Sequence, residues 1–308
     1  MSAQIAASFC GLLLSLALAP LLPGIINRVK AIMGGRRGRP LLQLYFDLAK
    51  LMRKAPVYPH ASSLFFHLPG PAGIASGILA LMVLPFGSLG AVFSFPGDFI
   101  LLAGVFVLAR FCLMLAALDT GSAFEGMGTA REALFSALAE PIFLFCLLAL
   151  AYYIQKFSLI DMFTGGLTPL SSRVDWAFYL MLICALFLLL LSENSRLPVD
   201  DPNTHLELTM IHEVMILDHS GPDLALLEYA ASLKLWIFSL LISGILLPNG
   251  TEHSVVISVG LHLLVIFCIA VLVGLVESLM ARFRMERVPQ VFTVAGALVC
   301  LAALAIWR

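Results

Sequence analysis

The sequence predicts an all-α polytopic membrane protein: about eight transmembrane helices, with an amphipathic interfacial helix after the first. Three observations predict it. The 308 residues are 61% hydrophobic and 12% charged, with mean hydropathy +1.01, where a soluble domain carries roughly 25% charged residues. Apolar runs of the roughly 20 residues that cross a bilayer recur along the whole chain. The short alternating segments of barrel strands are missing from these runs, and lipid leaves a single segment only the helix for pairing its backbone polar groups.

The spans are expected at residues 4–26, 68–84, 98–118, 132–154, 176–191, 224–247, 255–281 and 289–307, and together they make residues 1–308 one membrane domain. The first span is not read as a signal peptide. Met1 to Ser8 carry no basic residue and "NRVKAIMGGRRGRP" follows the span, the reverse of a signal peptide's charge bias, so the span is expected to stay. Residues 27–67 form a basic loop in which Arg28, Lys30, Arg36, Arg37, Arg39, Lys50, Arg53 and Lys54 face Asp47. Within it "PLLQLYFDLAKLMRK" places Leu41, Leu44, Tyr45, Leu48, Leu51 and Met52 at helical spacing. This is the interfacial helix, either an anchor on anionic lipid or the frame of an entrance from the lipid side. Residues 192–223, after the fifth span, form an acidic and histidine-bearing loop with Glu193, Arg196, Asp200, Asp201, His205, Glu207, His212, Glu213, Asp218 and His219.

Basic residues set the orientation. Alternate loops hold 13 Lys and Arg on one side and 3 on the other, so the richer side, with both named loops, is expected in the cytoplasm of a prokaryote and both termini outside. Cys10, Cys112, Cys146, Cys184, Cys268 and Cys300 stand singly, without the paired spacing of zinc or iron-sulfur sites, and are expected as small packing residues. The loop histidines recur every seven residues. On a helix that spacing separates neighbours by roughly 10 Å, too far for one ion whose ligand nitrogens lie near 2 Å from it. No metal, phosphate-loop, nucleic-acid or nucleophile motif stands out in this chain.

Ionisable residues inside the spans carry the chemistry, because each costs about 2.5 to 3.5 kcal/mol at mid-membrane. They are Arg110, Glu140, Glu228, Lys234 and Glu277, with Arg131 and Glu132 at the mouth of the fourth span. Glu228 and Lys234, six residues and about 240° apart, are expected to meet partners on other helices. A proton path asks for buried carboxylates with cations near them. The plainer alternatives are that Glu140 pairs with Arg110, Glu228 sits at headgroup level, and Glu277 snorkels from its helix end.

These residues resemble a known family: subunit 1 of respiratory complex I and its relatives in membrane-bound group 4 nickel-iron hydrogenases. Leu41, Leu42, Gln43, Asp47, Lys50, Leu51 and Lys54 stand at the family's offsets, Arg131 precedes Glu140 by nine residues, and Glu193, Arg196, Pro198, Asp200 and Glu207 keep its spacing. Where complex I has Gly-Pro-Asn-Arg this chain has "GRRGRP", Asn203 and His205 replace two carboxylates, and "DHSG" replaces Glu-Tyr-Ser-Gly. "VDDPNTHLELTMIHE" is similar instead to hydrogenase-4 component C and formate hydrogenlyase membrane subunits. The resemblance implies a chain without cofactors of its own. Its implied partners are hydrogenase large and small subunits, which carry the nickel-iron centre and iron-sulfur clusters, with further iron-sulfur proteins and antiporter-like membrane subunits. Complex I with a quinone site is the alternative within the family. A stand-alone ion transporter and a passive anchor are the alternatives outside it.

Overall fold

In a computed structural model, which describes residues 2–60, 62–164, 173–200, 210–247 and 254–306, the chain is a helical bundle. In order come α1 (Ser2–Leu18), α2 (Leu21–Met33), α3 (Gln43–Leu51), α4 (Pro69–Val83), α5 (Asp98–Asp119) and α6 (Ala123–Ile154). Then follow α7 (Leu159–Thr164), α8 (Arg173–Glu193), α9 (His212–Met215), α10 (Gly221–Leu246), α11 (Val255–Leu279) and α12 (Val288–Ile306). Among the described residues seven helices are long and apolar enough to cross a membrane, and α1 with α2 makes an eighth crossing if the bent pair counts as one span.

Two expectations about the spans need correction. The first is not one run over 4–26: it breaks after Leu18, bends by 41° and continues to Met33. Pro20 has no N–H to return to the carbonyl four residues back, so the break strands the Leu16 and Ala17 carbonyls. Tyr229 Oη donates to Leu16 O at 3.0 Å and Tyr45 Oη donates to Ala17 O. The helix of the fourth span, α6, starts at Ala123, nine residues before the expected 132, and runs through Pro141.

Helix α3 lies where the leucine spacing put it. Leu44, Tyr45, Leu48 and Leu51 are half-buried while Phe46 and Lys50 are exposed, and Gln43 donates to Asp47 at 2.8 Å, one turn along. Helix α10 is the bundle's centre: Trp236, Ile237, Phe238 and Leu241 are at most 1% exposed, and Phe238 joins the rings of Phe106 and Phe143. Helix α4 reaches it through Gly70, Gly73 and Gly77. A Cβ there would come within 3.0, 2.8 and 3.0 Å of Leu226, Ala230 and Leu233, so the bare stripe sets the close approach of the two helices.

The cysteines also depart from expectation. Cys146 is a buried packing residue, but Cys10, Cys184, Cys268 and Cys300 are exposed and Cys112 is intermediate. A membrane helix has apolar residues all round, so hydropathy does not distinguish its packed face from its outer one.

Candidate functional site

The fold brings the scattered charges to two adjoining clusters. In the inner one Arg110, whose side chain is 5% exposed, is the hub. Its Nε lies 3.1 Å from Glu132, its Nη1 donates to Glu140 at 2.6 Å, and its Nη2 donates to Glu193. Lys234 closes on Glu193 at 2.6 Å, and not on Glu228. A planar guanidinium suits this hub, because its fork serves three carboxylates in fixed directions where an ammonium would be a single point charge. With every member ionised, three carboxylates face two cations and the cluster carries a net charge of −1.

The outer cluster is built around Arg196 and Asp200, three and seven residues after Glu193. Arg196 reaches Glu277 at 3.4 Å, Lys30 of α2 reaches the same carboxylate at 2.8 Å, and Arg282 donates to Asp200 at 2.8 Å. The His212 backbone N–H donates to Asp200 at 3.2 Å, and the Phe283 N–H donates to Pro198 O at 3.0 Å. Glu277 does not snorkel: its side chain is 0% exposed, because two cations from other elements meet it inside the bundle. The stretch from Glu193 to Asp200 thus has one end in each cluster.

Water has room between them. A cavity of about 110 Å³ is lined by Arg110, Glu132, Glu193, His212 and Lys234, and on its apolar side by α4 and α10. Since a site of roughly 10 to 15 Å³ holds one water, this one has room for several. A second cavity of about 20 Å³ runs from Arg110, Glu132 and Glu193 to Asp200, space for a single bridging water.

Helix α9 roofs the site. Gly128 of α6 makes room for it, since a Cβ there would run into Val214. Glu213 is half-buried, and that burial, together with the neighbouring Glu228 and Asp200 carboxylates, pushes its pKa from 4.5 up to about 7. Burial likewise lowers the pKa of His212. Asp47 of α3 is within electrostatic reach of Glu228, which is half-buried.

Other residues lie apart from the clusters. Arg131 donates to Met210 O at 2.8 Å, and Arg36, Arg37, Lys50 and Lys54 are exposed. The Asp218 N–H donates to Glu125 at 3.4 Å, and His219 stacks on Phe66 with 4.1 Å between ring centroids. Asp201, His205 and Glu207 lie outside the described residues. Among the described residues no three His, Cys, Asp or Glu side chains converge as metal ligands.

Sequence reasoning missed two members of the outer cluster and one buried carboxylate apart from both clusters. Lys30 was expected in the basic loop facing Asp47 and Arg282 counted only toward orientation, and nothing local marks them as partners of Glu277 and Asp200. Glu125, 1% exposed and bonded by Thr120, sat in "GSAFEGMG", between the expected third and fourth spans. Its signal was its place seven residues before Glu132, two turns along one helix face.

A family model described as NADH dehydrogenase matches residues 5–307. The chain belongs to that family. This NADH dehydrogenase family member is 31% identical to hydrogenase-4 component C of Escherichia coli (strain K12) over 292 residues, 93% of this chain and 91% of that protein. It is 29% identical to formate hydrogenlyase subunit 4 of the same organism over 289 residues, 89% and 90% of the two chains. Both relatives lie in the branch that "VDDPNTHLELTMIHE" resembles. A solved chain of the membrane-bound sulfane sulfur reductase, an archaeal respiratory membrane complex, superposes with a TM-score of 0.85 over 99% of each chain at 19% identity, a likeness of fold.

Proposed function

We propose that this chain is the membrane-anchoring subunit of a multisubunit nickel-iron hydrogenase, docking the redox arm on its basic side and coupling electron arrival to proton or ion movement. Support comes from one observation above the others: the stretch Glu193 to Asp200 joins the ionic cluster around Glu277 and Asp200 to the one around Arg110. An electron reaching a cluster about 10 Å from such a charge acts on it with about 1 to 2 kcal/mol at an effective dielectric near 20. A few such terms shift a proton equilibrium by a unit or more. The cavity supplies the wet route by which a proton then reaches Glu193, Glu132 and Lys234.

In this reading the basic side faces the cytoplasm of a prokaryotic cell, both termini lie outside, and the metal centres belong to partners: large and small hydrogenase subunits and iron-sulfur proteins, beside antiporter-like membrane subunits. The acidic loop 192–223 docks the arm and the basic loop 27–67 holds the lipid surface. Gentle solubilisation of the tagged chain should recover nickel and iron-sulfur proteins in fixed proportion, and Asp200→Asn should weaken arm retention or turnover. A chain that runs alone without nickel contradicts the reading.

A second reading, complex I with a quinone site, draws on the same cavity, whose α4 and α10 wall is apolar. Electron transfer that depends on added quinone, with quinone-reducing peripheral subunits copurifying, favours it over the hydrogenase.

A further inference from the structure

We propose that His262 is the trigger of an acid-released latch on the membrane face opposite the basic loops: its neutral ring seats residues 86–90 against α11, and protonation unseats them. The inference goes beyond the hydrogenase reading and does not depend on it.

Helix α11 buries one stripe, which runs from Ser258 and His262 through Ile266, Ala270 and Val273 to Glu277. His262 stands seven residues after Val255, about 10 Å along the helix, and Glu277 follows about 22 Å later. The stripe between the two is apolar. His262 is thus set apart from the ionic clusters, at the end of the bundle where α4 hands the chain to α5.

Residues 86–90 of that connection fill the corner between α1, α10 and α11. The Ser88 N–H donates to Ser258 Oγ at 3.2 Å, and Ser8 Oγ of α1 donates to Leu89 O at 2.9 Å. Gly87, at φ +57°, lies so close to α11 that a Cβ there would come 2.9 Å from Ser258 Oγ and 3.1 Å from His262 Nδ1. The Phe86 ring, 2% exposed, neighbours both Trp236 and His262, with centroids 6.3 and 6.4 Å away. The segment so helps to hold α1, which the bend at Pro20 separates from α2.

The ring itself is 1% exposed. A carbonyl only accepts, so His262 Nδ1 donates to Ser258 O at 2.9 Å and the neutral ring keeps its lone pair on Nε2. Nε2 is buried with no hydrogen-bond partner among the described residues. A proton added there needs an acceptor, and Trp236, the other ring beside Phe86, offers only a donor. Counter-charge is lacking as well. Helix α1, residues 84–96, α10 from Leu235 to Leu246 and α11 before Glu277 hold no acidic or basic residue besides His262 itself. On α2, Arg28 is exposed and Lys30 is engaged by Glu277; Glu252 and His253 lie outside the described residues. An imidazolium buried without a partner is costly, whereas in water it forms near pH 6.5. Acid therefore favours the arrangement in which water reaches the ring, and Phe86 and Gly87 must leave it for that. Each pH unit below about 6.5 multiplies the population of this arrangement by about ten.

Hydrogen exchange of residues 86–93 in the intact complex, held in lipid nanodiscs, tests the latch, with the unfolded peptide giving the chemical rate at each pH. The Ser88 N–H is bonded to Ser258 and the Val92 and Phe93 N–H groups to Met82 O, so their exchange reports release. Relative to the chemical rate, exchange in the native chain should be about tenfold faster at pH 5.5 than at pH 7.5. His262→Gln keeps a donor for Ser258 O but takes no proton, and should show no such step. Ser258→Ala removes the acceptor of the Ser88 N–H; it should quicken exchange about fivefold at both pH values and keep the step, because His262 is intact. A native chain without the step, a step that survives in His262→Gln, or exchange unmoved by Ser258→Ala overturns the proposal. Should His262→Gln fail to assemble, the native step and Ser258→Ala still decide. Nickel in the purified complex bears on the hydrogenase reading alone.

Discussion

Removing the Arg110 guanidinium tests whether the inner cluster is one electrostatic unit. Arg110→Met fills similar volume but leaves Glu132, Glu140 and Glu193 facing Lys234 alone, taking the ionised cluster from −1 to −2. With the arginine side chain only 5% exposed, solvent does little to screen the change. Breaking a buried pair of this kind costs about 3 to 5 kcal/mol. Adding Glu140→Gln returns the sum to −1, so the double variant should be less unstable than the two single losses added together, with a coupling of about 1 to 3 kcal/mol. The assay is unfolding of the subunit in mild detergent as the dodecyl sulfate fraction rises, followed by helicity and tryptophan fluorescence. A loss below about 1 kcal/mol for Arg110→Met, or strict additivity in the cycle, refutes the hub.

Further expectations follow from the surrounding elements. Because the folded chain holds the Glu213 proton more tightly than an unfolded chain does, the contribution of Glu213 to stability falls as pH rises from 4.5 to about 7 and is level above that; Glu213→Gln should flatten this part of a stability-against-pH curve. Tyr45→Phe and Tyr229→Phe each leave a carbonyl at the α1–α2 break without its donor, for about 1 to 2 kcal/mol, and hydrogen exchange of residues 43–51 should quicken for Tyr45→Phe. Gly128→Ala drives a methyl into Val214 and shifts α9, which should cost about 1 to 3 kcal/mol and loosen the grip on Asp200, read as weaker arm retention in the purified complex.

Membrane class, the approximate number of spans and α3 were legible because hydropathy and spacing are local properties: "LLQLYFDLAKLMRK" announces one apolar face wherever it folds. The break at Pro20 was present in the sequence as a proline, but prolines are tolerated in spans, and nothing local shows that Tyr45 and Tyr229 would supply the missing donors. The early start of α6 was hidden because "GSAFEGMG" fell between the expected third and fourth spans, and nothing local shows that Gly128 there serves to admit α9. For the site, an ionisable residue in a span signals itself by its cost, which singled out Arg110, Glu140, Lys234 and Glu277. Their pairing did not, since Lys30 meets Glu277 across most of the chain length. The near-complete burial of Glu277 was equally out of reach, because a carboxylate near a helix end has the same sequence whether it snorkels or is met by two cations.

The most direct measurement is an infrared difference spectrum of the intact complex between oxidised and reduced iron-sulfur clusters, recorded for the native chain and for Glu193→Gln and Asp200→Asn. Coupling through the stretch from Glu193 to Asp200 predicts carboxyl bands that change on reduction and weaken in both variants. Carboxyl bands that ignore reduction, or that survive unchanged in both variants, contradict it.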